Sequence, residues 1–162
     1  MRFTADEWLA LHELHADYAA ALDARDLDRW PAFFTEACSY KLQSRENFDR
    51  GLPLCILHLD SRAMLADRVY GARETIYHDP YVQCHLGGVP RLLARDPAEQ
   101  GHALVTETPV LVVRTKRDAM PEILVAGRYL DRVVSTADGL RFAQRWLIFD
   151  NDLIANSIVD PA

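Results

Sequence analysis

The stretch that decides the fold class is Ile123–Phe149, ILVAGRYLDRVVSTADGLRFAQRWLIF, which has the composition of two long strands. Aliphatic, β-branched and aromatic residues dominate both halves, as is typical of a half-buried sheet. Between the halves, the segment Ala137–Gly139 contains an Asp-Gly pair, which tolerates the positive φ of a tight hairpin turn. We therefore predict antiparallel strands over residues 123–135 and 140–154.

The residues upstream of this hairpin predict a third long strand, over His102–Thr115, joined to it by a looser turn at Asp118–Pro121. Helical spacing dominates the first half of the chain instead. Leading helices followed by a meander of long strands predict an α+β fold, in which the helices cover one face of a strongly curved sheet. The length of 162 residues fits a single domain over residues 1–162.

The first helix is predicted to begin after Thr4, because Thr4 and Glu7 have the spacing of a capping box. We expect it to end between Asp23 and Arg25. Apolar and aromatic side chains recur at three- and four-residue steps, so that one stripe of the helix faces a core. The predicted stripe is Trp8, Leu11, His15, Tyr18, Ala19 and Leu22, and the residues turned toward water are Glu13 and Asp17.

Three shorter elements are predicted between this helix and the long strands. Asp28 can cap a short second helix. Pro31 is compatible with this helix, because a proline near a helix start removes no N–H that is hydrogen-bonded within the helix. Residues Cys38–Leu42 alternate as in a half-buried strand, and Ser61 can cap a third helix. The side chains expected to contribute to the core from these elements are Trp30, Phe33, Phe34, Cys38, Tyr40, Leu42, Leu65 and Val69.

The composition argues against nucleic acid and membrane partners. The net charge is -6, from 24 acidic and 18 basic residues, whereas binding to phosphates relies on a positive field. The nearest basic cluster, Arg114, Lys116 and Arg117, lies beside Asp118 at a predicted strand end, which is typical of a solvated edge. No apolar run resembles a signal peptide or a membrane span, so we expect a cytoplasmic protein.

The cysteines predict neither a disulfide framework nor a structural zinc site. Cys38, Cys55 and Cys84 are an odd number at wide spacings, without a CxxC pair. We expect reduced thiols that are mostly buried.

One segment carries a family resemblance. It is YKLQSRENFDRGLPLCILHLDSRAMLADRVYGAR, from Tyr40 to Arg73, and a W-P-x-F-F-like segment precedes it at Trp30–Phe34. Both resemble the small subunits of Rieske-type aromatic-ring-hydroxylating dioxygenases, whose order of helices and strands this chain shares. The matching elements are Glu46-Asn47, Gly51-Leu52, Asp60-Ser61, Met64-Leu65 and Asp67-Arg68-Val69.

The resemblance implies the cone-shaped fold that is shared with nuclear transport factor 2, ketosteroid isomerase and scytalone dehydratase, with helices packed on a mixed, mostly antiparallel sheet. It also implies a trimer of small subunits bound to three large (alpha) subunits, which carry the Rieske [2Fe–2S] cluster and the mononuclear iron. Electrons would arrive from NADH, and the complex would oxidise an aromatic compound. Within the family, the chain resembles small subunits whose partners act on ionised aromatic acids, such as those of salicylate 5-hydroxylase or terephthalate dioxygenase.

The side chains themselves do not build a Rieske site. Such a cluster needs two Cys/His pairs at close spacing, and Cys84-His85 is the one adjacent pair in the sequence. We therefore expect no catalytic, cofactor-binding or metal-binding residue in this chain, with the iron centres on the large subunit.

Two sets of side chains could form a metal site, and each set also has a structural interpretation. His12 and His15 lie three residues apart on the first helix with Glu13 between them, but His15 falls on the apolar stripe. The second set is His78, Asp79 and His85. If this run is one continuous strand, alternation places the two histidines on opposite faces. The structural interpretation is favoured for both sets.

The alternative function is a stand-alone isomerase or dehydratase, or a module that binds a small ligand in the cone. Such an enzyme needs an acid or imidazole in an apolar cavity to move a proton. The candidates are Tyr18, Tyr40, His58 and Asp60. The structural interpretation of each is a core tyrosine for the first two, a hydrogen-bonded core histidine for His58 and a helix-starting residue for Asp60.

The segment from residue 43 to 51 is predicted to be a polar recognition loop. We hypothesise that it contacts a neighbouring small subunit or the large subunit, with Arg45 and Arg50 paired across the interface. The proposed interface residues are Arg45, Glu46, Asn47, Asp49 and Arg50.

Overall fold

The computed structural model describes residues 2–75, 80–98, 101–154 and 158–162. The helices in these ranges are α1 (Ala5–Asp23), the 3₁₀ helix η1 (Leu27–Phe33), α2 (Arg45–Asp49) and α3 (Arg62–Glu74). The strands are β1 (Phe34–Ser44), β2 (Leu57–Leu59), β3 (Tyr81–Gly87), β4 (Arg91–Pro97), β5 (His102–Lys116), β6 (Glu122–Thr136) and β7 (Gly139–Phe149).

The strands form one mixed sheet in the order β2-β1-β7-β6-β5-β3, and β4 also pairs with β5. β1 runs parallel to β7, whereas the other paired strands are antiparallel. The predicted hairpin is confirmed, since β6 ends at Thr136 and β7 begins at Gly139, whose φ is 100°. The α+β class with a mostly antiparallel sheet is likewise confirmed.

The central strands approach each other closely at Gly127. A Cβ atom at this position would overlap the backbone of Ile148 on β7. Register shifts interrupt the pairing of β5 with β6 and of β6 with β7, and such irregularities bend and twist strands. The curved sheet encloses a core that the helices close.

α1 begins as predicted. The Thr4 hydroxyl accepts from the Glu7 N–H at 3.2 Å, and the Glu7 carboxylate accepts from the Thr4 N–H at 2.7 Å. The predicted core stripe is partly wrong, because Trp8 at its start is 37% exposed. The buried positions are Leu11, Leu14, Tyr18, Ala21 and Leu22.

The prediction that Asp28 caps the second helix is wrong. The helix is of the 3₁₀ type and begins at Leu27, and the carboxylate of Asp28 accepts from Arg73 on α3 at 2.6 Å. The physical reason is the three-residue spacing of Leu27, Trp30 and Phe33, which a 3₁₀ helix places on one side; all three are buried.

The predicted strand at Cys38–Leu42 is confirmed and extends further in both directions, as β1. Cys38, Tyr40 and Leu42 are buried on one face, as expected. Gln43 has the opposite phase of this alternation but is also buried, and its side-chain amide donates to the Leu52 carbonyl at 2.7 Å.

The segment predicted to be a polar loop contains the short helix α2. The Ser44 hydroxyl caps it by accepting from the Asn47 N–H at 3.3 Å. The predicted cap of α3 is confirmed in the same way, with the Ser61 hydroxyl accepting from Met64 at 3.2 Å.

β3 and β4 were not predicted, and β7 ends at Phe149 rather than at Ile154. β3 escaped prediction because its inward positions include the polar residues Gln83 and His85, while Val82 and Leu86 face outward. In this strand the polar positions are buried and the aliphatic positions are exposed, which is the reverse of the usual pattern.

The cysteines are free, as predicted, but only Cys38 is buried; Cys55 is half-buried and Cys84 is exposed. Within the described ranges, no helix is long and apolar enough to span a bilayer.

Candidate functional site

A row of polar side chains crosses the inner face of the sheet. Thr106 on β5 pairs in register with Asp131 on β6, Asp131 pairs with Arg145 on β7, and Arg145 pairs with Tyr40 on β1. Paired residues on adjacent strands point to the same side of a sheet. We call these four residues the interior polar row. Each of them is at most 1% exposed.

Arg145 is held among aromatic rings. Its guanidinium carbon lies 3.6 Å from the ring centre of Tyr129, 4.1 Å from that of Tyr18 and 4.2 Å from that of Phe142. Its Nη1 lies 3.8 Å from Oδ2 of Asp131. Ring faces attract a desolvated cation, so the rings and the carboxylate together stabilise this buried charge.

Asp131 and His15 form a second close contact, with Nε2 of His15 at 3.5 Å from Oδ2 of Asp131. Burial raises the pKa of Asp131 to about 6 despite the opposing effect of Arg145. Burial, with smaller contributions from Arg145 and His12, holds the pKa of His15 well below its ordinary value. An acid and an imidazole in contact are the groups that proton transfer uses.

This acid and imidazole are nevertheless closed to a substrate. The Asp131 side chain has no exposed surface, and that of His15 is 15% exposed. Neither Asp131 oxygen makes a hydrogen bond of ordinary geometry to a described residue. Proton transfer to a bound molecule therefore requires the interior to open.

The predicted candidates Tyr18 and Tyr40 come together in the same interior. The Tyr40 hydroxyl donates to the main-chain oxygen of Ala162 at 2.7 Å and accepts from the Ala162 N–H at 3.0 Å. The Tyr18 hydroxyl lies 3.4 Å from the same oxygen and accepts from Nε1 of Trp30 at 3.1 Å. Burial raises the pKa of both phenols, so both stay neutral hydrogen-bond donors. They are core tyrosines whose hydroxyls have partners, as the structural interpretation predicted.

The other two acid/base candidates lie away from this interior. His58 was expected in the core, but its side chain is 40% exposed and its Nε2 lies 2.6 Å from Oδ1 of Asp60. The prediction fails because β2 is an edge strand, whose alternate residues face water. Asp60 precedes α3, but its carboxylate pairs with His58 instead of capping the helix.

The first possible metal set is dispersed. Nδ1 of His12 lies 3.0 Å from the Trp8 carbonyl, whereas His15 points toward Asp131. Glu13 is exposed. Across the parts of the chain that the structure describes, no group of three His, Cys, Asp or Glu side chains could hold a metal ion.

The second possible metal set is only partly described. His78 and Asp79 lie outside the described residues. His85 is on β3, and its Nδ1 lies 2.6 Å from Oδ1 of Asp23 at the end of α1. Because the same carboxylate also accepts from the His85 N–H at 3.1 Å, this contact ties α1 to the sheet.

Four of the proposed interface residues, Arg45, Glu46, Asn47 and Asp49, lie on α2 and line a surface groove of about 660 Å³, and Arg50 directly follows the helix. Arg45 pairs with Asp150 at 2.7 Å, and Arg50 pairs with Glu46 at 2.8 Å. Arg45 and Arg50 keep half or more of their side-chain surface exposed. Leu54 and Ile56 also line this groove and are 70% and 51% exposed, and the exposed Leu52 follows α2 in the sequence.

The sequence did not predict Asp131 and Arg145, although it contains a signal for both. Asp131 is in phase with Tyr129 and Val133, and Arg145 is in phase with Leu147, so each interrupts the apolar face of a long strand. A charged residue in phase with buried neighbours is rarely buried unless it is paired.

Comparison with known proteins supports the resemblance found in the sequence. Residues 4–146 match the family model of the SnoaL-like domain. The chain is 32% identical over 154 residues to the anthranilate 1,2-dioxygenase small subunit of Burkholderia cepacia, covering 95% of this chain and 93% of that protein. It is 32% identical over 137 residues to the subunit beta 2 of the terminal oxygenase component of terephthalate 1,2-dioxygenase from a Comamonas species, covering 85% and 86% of the two chains.

A solved structure agrees with these relatives. The β subunit assigned to an aromatic-ring-hydroxylating dioxygenase of Novosphingobium aromaticivorans superposes with a TM-score of 0.83 at 30% identity, covering 94% of each chain. The sequence resemblance and the fold therefore lead to one family. This chain belongs to the SnoaL-like domain family and, within it, to the small subunits of aromatic-ring-hydroxylating dioxygenases.

Proposed function

We propose that this chain is a non-catalytic, structural subunit of a multicomponent dioxygenase that oxidises an aromatic compound, with an aromatic acid as the preferred class. In this proposal the large subunit carries the Rieske cluster and the mononuclear iron, and the electrons come from NADH. The observation that best supports this proposal is the 32% identity to a dioxygenase small subunit along 95% of the chain.

The closed interior supports a structural role. The acid and imidazole that could transfer protons, Asp131 and His15, contact each other, and the His15 ring packs against Phe142 in the core. Arg145 makes cation–π contacts there and pairs with Asp131. A stable core that fixes the shape of the outer surface is what a supporting subunit needs.

We further propose that the small subunit forms a trimer in the cytoplasm and binds three large subunits. Val82 and Leu86 on β3 and Ile123 on β6 are 60%, 52% and 59% exposed. Val113 on β5 pairs with Cys84 on β3 and with Ile123 on β6. Since Val82 and Leu86 are two residues before and after Cys84, the three exposed apolar side chains lie on the same face of the sheet. Contact between copies would bury these apolar side chains.

The α2 surface is the proposed contact with the large subunit. It combines exposed charges with the apolar residues Leu54, at 70% exposure, and Ile56, at 51%. Arg45 and Arg50 already have partners within the chain, so across an interface they would share those carboxylates or exchange them. Such charges contribute mainly to partner selection and association rate.

Copurification tests the structural role directly. The chain is co-expressed with a dioxygenase large subunit from the same organism and purified through a tag on this chain. A brown, iron-containing partner that oxidises an aromatic acid only with an electron supply is the expected result. A colourless chain that turns over a substrate without any partner would overturn the proposal.

Charge reversal tests the α2 surface. Arg45→Glu places a carboxylate beside Asp150 and is expected to weaken assembly by about tenfold or more, measured by size-exclusion chromatography of the complex. Arg117→Glu is the matched control, because Arg117 is 94% exposed at the turn after β5. Equal assembly of the two folded variants would count against this surface.

The second candidate function is a stand-alone isomerase or dehydratase, or a ligand-binding module. The Asp131–His15 contact at 3.5 Å is the observation that favours the enzyme. If it is correct, His15→Gln abolishes turnover by the isolated chain. If the chain is a structural subunit, the same variant copurifies with the large subunit and leaves the dioxygenase active.

A further inference from the structure

Residues 158–162, which we call the closing segment, lie inside the molecule and contact α3. Ile158 is 9% exposed and Asp160 is 1% exposed. Nη2 of Arg68 on α3 donates to the main-chain oxygen of Ile158 at 3.2 Å and to that of Val159 at 2.7 Å. Arg68 is one of the residues that carry the family resemblance, and it fixes the start of the closing segment through the backbone.

The closing segment also contacts β3 and the turn after α1. The Asp160 N–H donates to the Tyr81 hydroxyl on β3 at 3.3 Å. Oδ1 of Asp160 lies 3.1 Å from Nη2 of Arg25, and the two side chains are 1% and 39% exposed. Because one of its members is buried, this ion pair is less screened by water than a surface pair. Asp160 therefore connects β3 with the end of α1.

A second contact from the end of α1 holds β3 four residues further along the strand. The Asp23 carboxylate accepts from the His85 N–H at 3.1 Å, and its Oδ1 lies 2.6 Å from Nδ1 of His85. Tyr81 and His85 are both buried on the inner face of the strand. β3 is therefore held from the inside at two positions.

The opposite face of β3 carries apolar side chains proposed for self-association. Val82 and Leu86 directly follow the two held residues in the sequence, and they are 60% and 52% exposed. Successive side chains of a strand point to opposite faces of the sheet. A shift of the held residues on the inside therefore moves these apolar side chains on the outside.

β3 depends on its inner contacts because it is an edge strand. It lies at one end of the strand order, and among the described strands it pairs with β5 alone. An edge strand has hydrogen-bonded neighbours on one side only, and local opening of such an element requires less free energy than global unfolding. The contacts on the inner face therefore limit how often β3 leaves its position.

We propose that the closing segment is a latch for β3, which couples docking of residues 158–162 to self-association of the small subunit. When the segment is docked, β3 is fixed and presents Val82 and Leu86 for contact between copies. When it is released, Tyr81 loses its contact with Asp160 and the apolar surface loses its fixed shape. This inference rests on the proposed self-association surface, whereas the contacts of the closing segment with β3 do not depend on that surface.

Two variants weaken the latch without changing the outer surface. Arg25→Gln removes the charge that pairs with Asp160, and Tyr81→Phe removes only the hydroxyl that accepts from the Asp160 N–H. They should accelerate amide hydrogen exchange in β3 by about tenfold and about threefold, and both should weaken trimer formation in analytical ultracentrifugation. Arg29→Gln is the matched control, because Arg29 is 55% exposed and lies 4.0 Å from Asp26. Exchange or association equal to that of the control would overturn the proposal.

Tyr81→Phe keeps the ring in place and provides the test if Arg25→Gln does not fold. Val82→Ser then separates a failure of the latch from a failure of the surface, because it removes an apolar side chain from the outer face. If Val82→Ser leaves the trimer unchanged, the surface proposed for self-association is wrong. If Val82→Ser weakens the trimer while the Tyr81→Phe trimer is as stable as the control, the surface is correct and the latch is wrong.

Discussion

Two arginine–aspartate pairs in this protein have opposite environments. Arg145 and Asp131 lie 3.8 Å apart with side chains that are 1% and 0% exposed. Arg45 and Asp150 are closer, at 2.7 Å, but their side chains are 50% and 38% exposed. The shorter distance belongs to the weaker interaction, because water screens the exposed pair while the buried charges depend on each other.

The buried pair also differs in what surrounds it. Three aromatic rings contact Arg145, and His15 contacts Asp131. Removing one member leaves the others unpaired in the core, whereas each member of the exposed pair can turn to water. The comparison teaches that burial, more than distance, decides which charged pair the fold depends on.

Breaking the buried pair should have the largest effect on stability. Arg145→Met keeps much of the side-chain volume but leaves the Asp131 charge uncompensated, which should lower the free energy of unfolding by about 3–5 kcal/mol. Urea denaturation followed by circular dichroism measures the change. A loss below about 1 kcal/mol would mean that neither the pair with Asp131 nor the contacts of Arg145 with the rings contributes much to stability.

The pH dependence of the free energy of unfolding should reveal the contribution of Asp131. Its pKa is raised from 3.8 to about 6 in the fold, so the folded state binds more protons than the unfolded state between these values. The resulting stabilisation is fully present below pH 3.8 and is lost as the pH rises through about 6, by about 3 kcal/mol at most. Asp131→Asn should therefore gain stability relative to the unmodified chain as the pH rises from 4 to 7, as urea titrations at each pH would show.

His15 provides a control, because its contribution to stability should change with pH in the opposite direction to that of Asp131. Its pKa lies below 6.5 in the fold, so its contribution is present above pH 6.5 and is lost as the pH falls. His15→Gln should gain stability relative to the unmodified chain toward acid, where Asp131→Asn loses it. Parallel profiles for the two variants would contradict the assigned directions.

Breaking the exposed pair should have the smallest effect on stability. Arg45→Met should change the free energy of unfolding by about 0–1 kcal/mol, and 1 M salt should reduce that difference further. Urea denaturation at low and high salt provides the measurement. A loss as large as that of Arg145→Met would reverse the ranking of the two pairs.

Local chemistry made several elements predictable. The Thr4–Glu7 capping box and the Ser61 cap form from residues only a few positions apart, and the turn at Gly139 depends on the φ of that residue. The long strands β5, β6 and β7 were predictable from their apolar, β-branched composition. The family was predictable from the segment Tyr40–Arg73, whose residues carry the resemblance.

Elements that depend on distant partners were not predictable. β3 is a strand because β5 pairs with it, and its inward His85 is satisfied by Asp23 from α1. η1 adopts its 3₁₀ form because Leu27, Trp30 and Phe33 are buried together. The predicted core position of His58 was wrong because only the strand order places β2 at an edge.

By itself, the sequence determined the fold class, the family, the caps of α1 and α3 and the position of the hairpin, because those depend on neighbouring residues and on overall composition. Only the tertiary structure decided that Tyr40, Asp131 and Arg145 form one buried row, and that Ala162 lies against Tyr40. The physical reason is that strand register and burial bring together residues more than one hundred positions apart, as Tyr40 and Ala162 are. No local pattern encodes that contact.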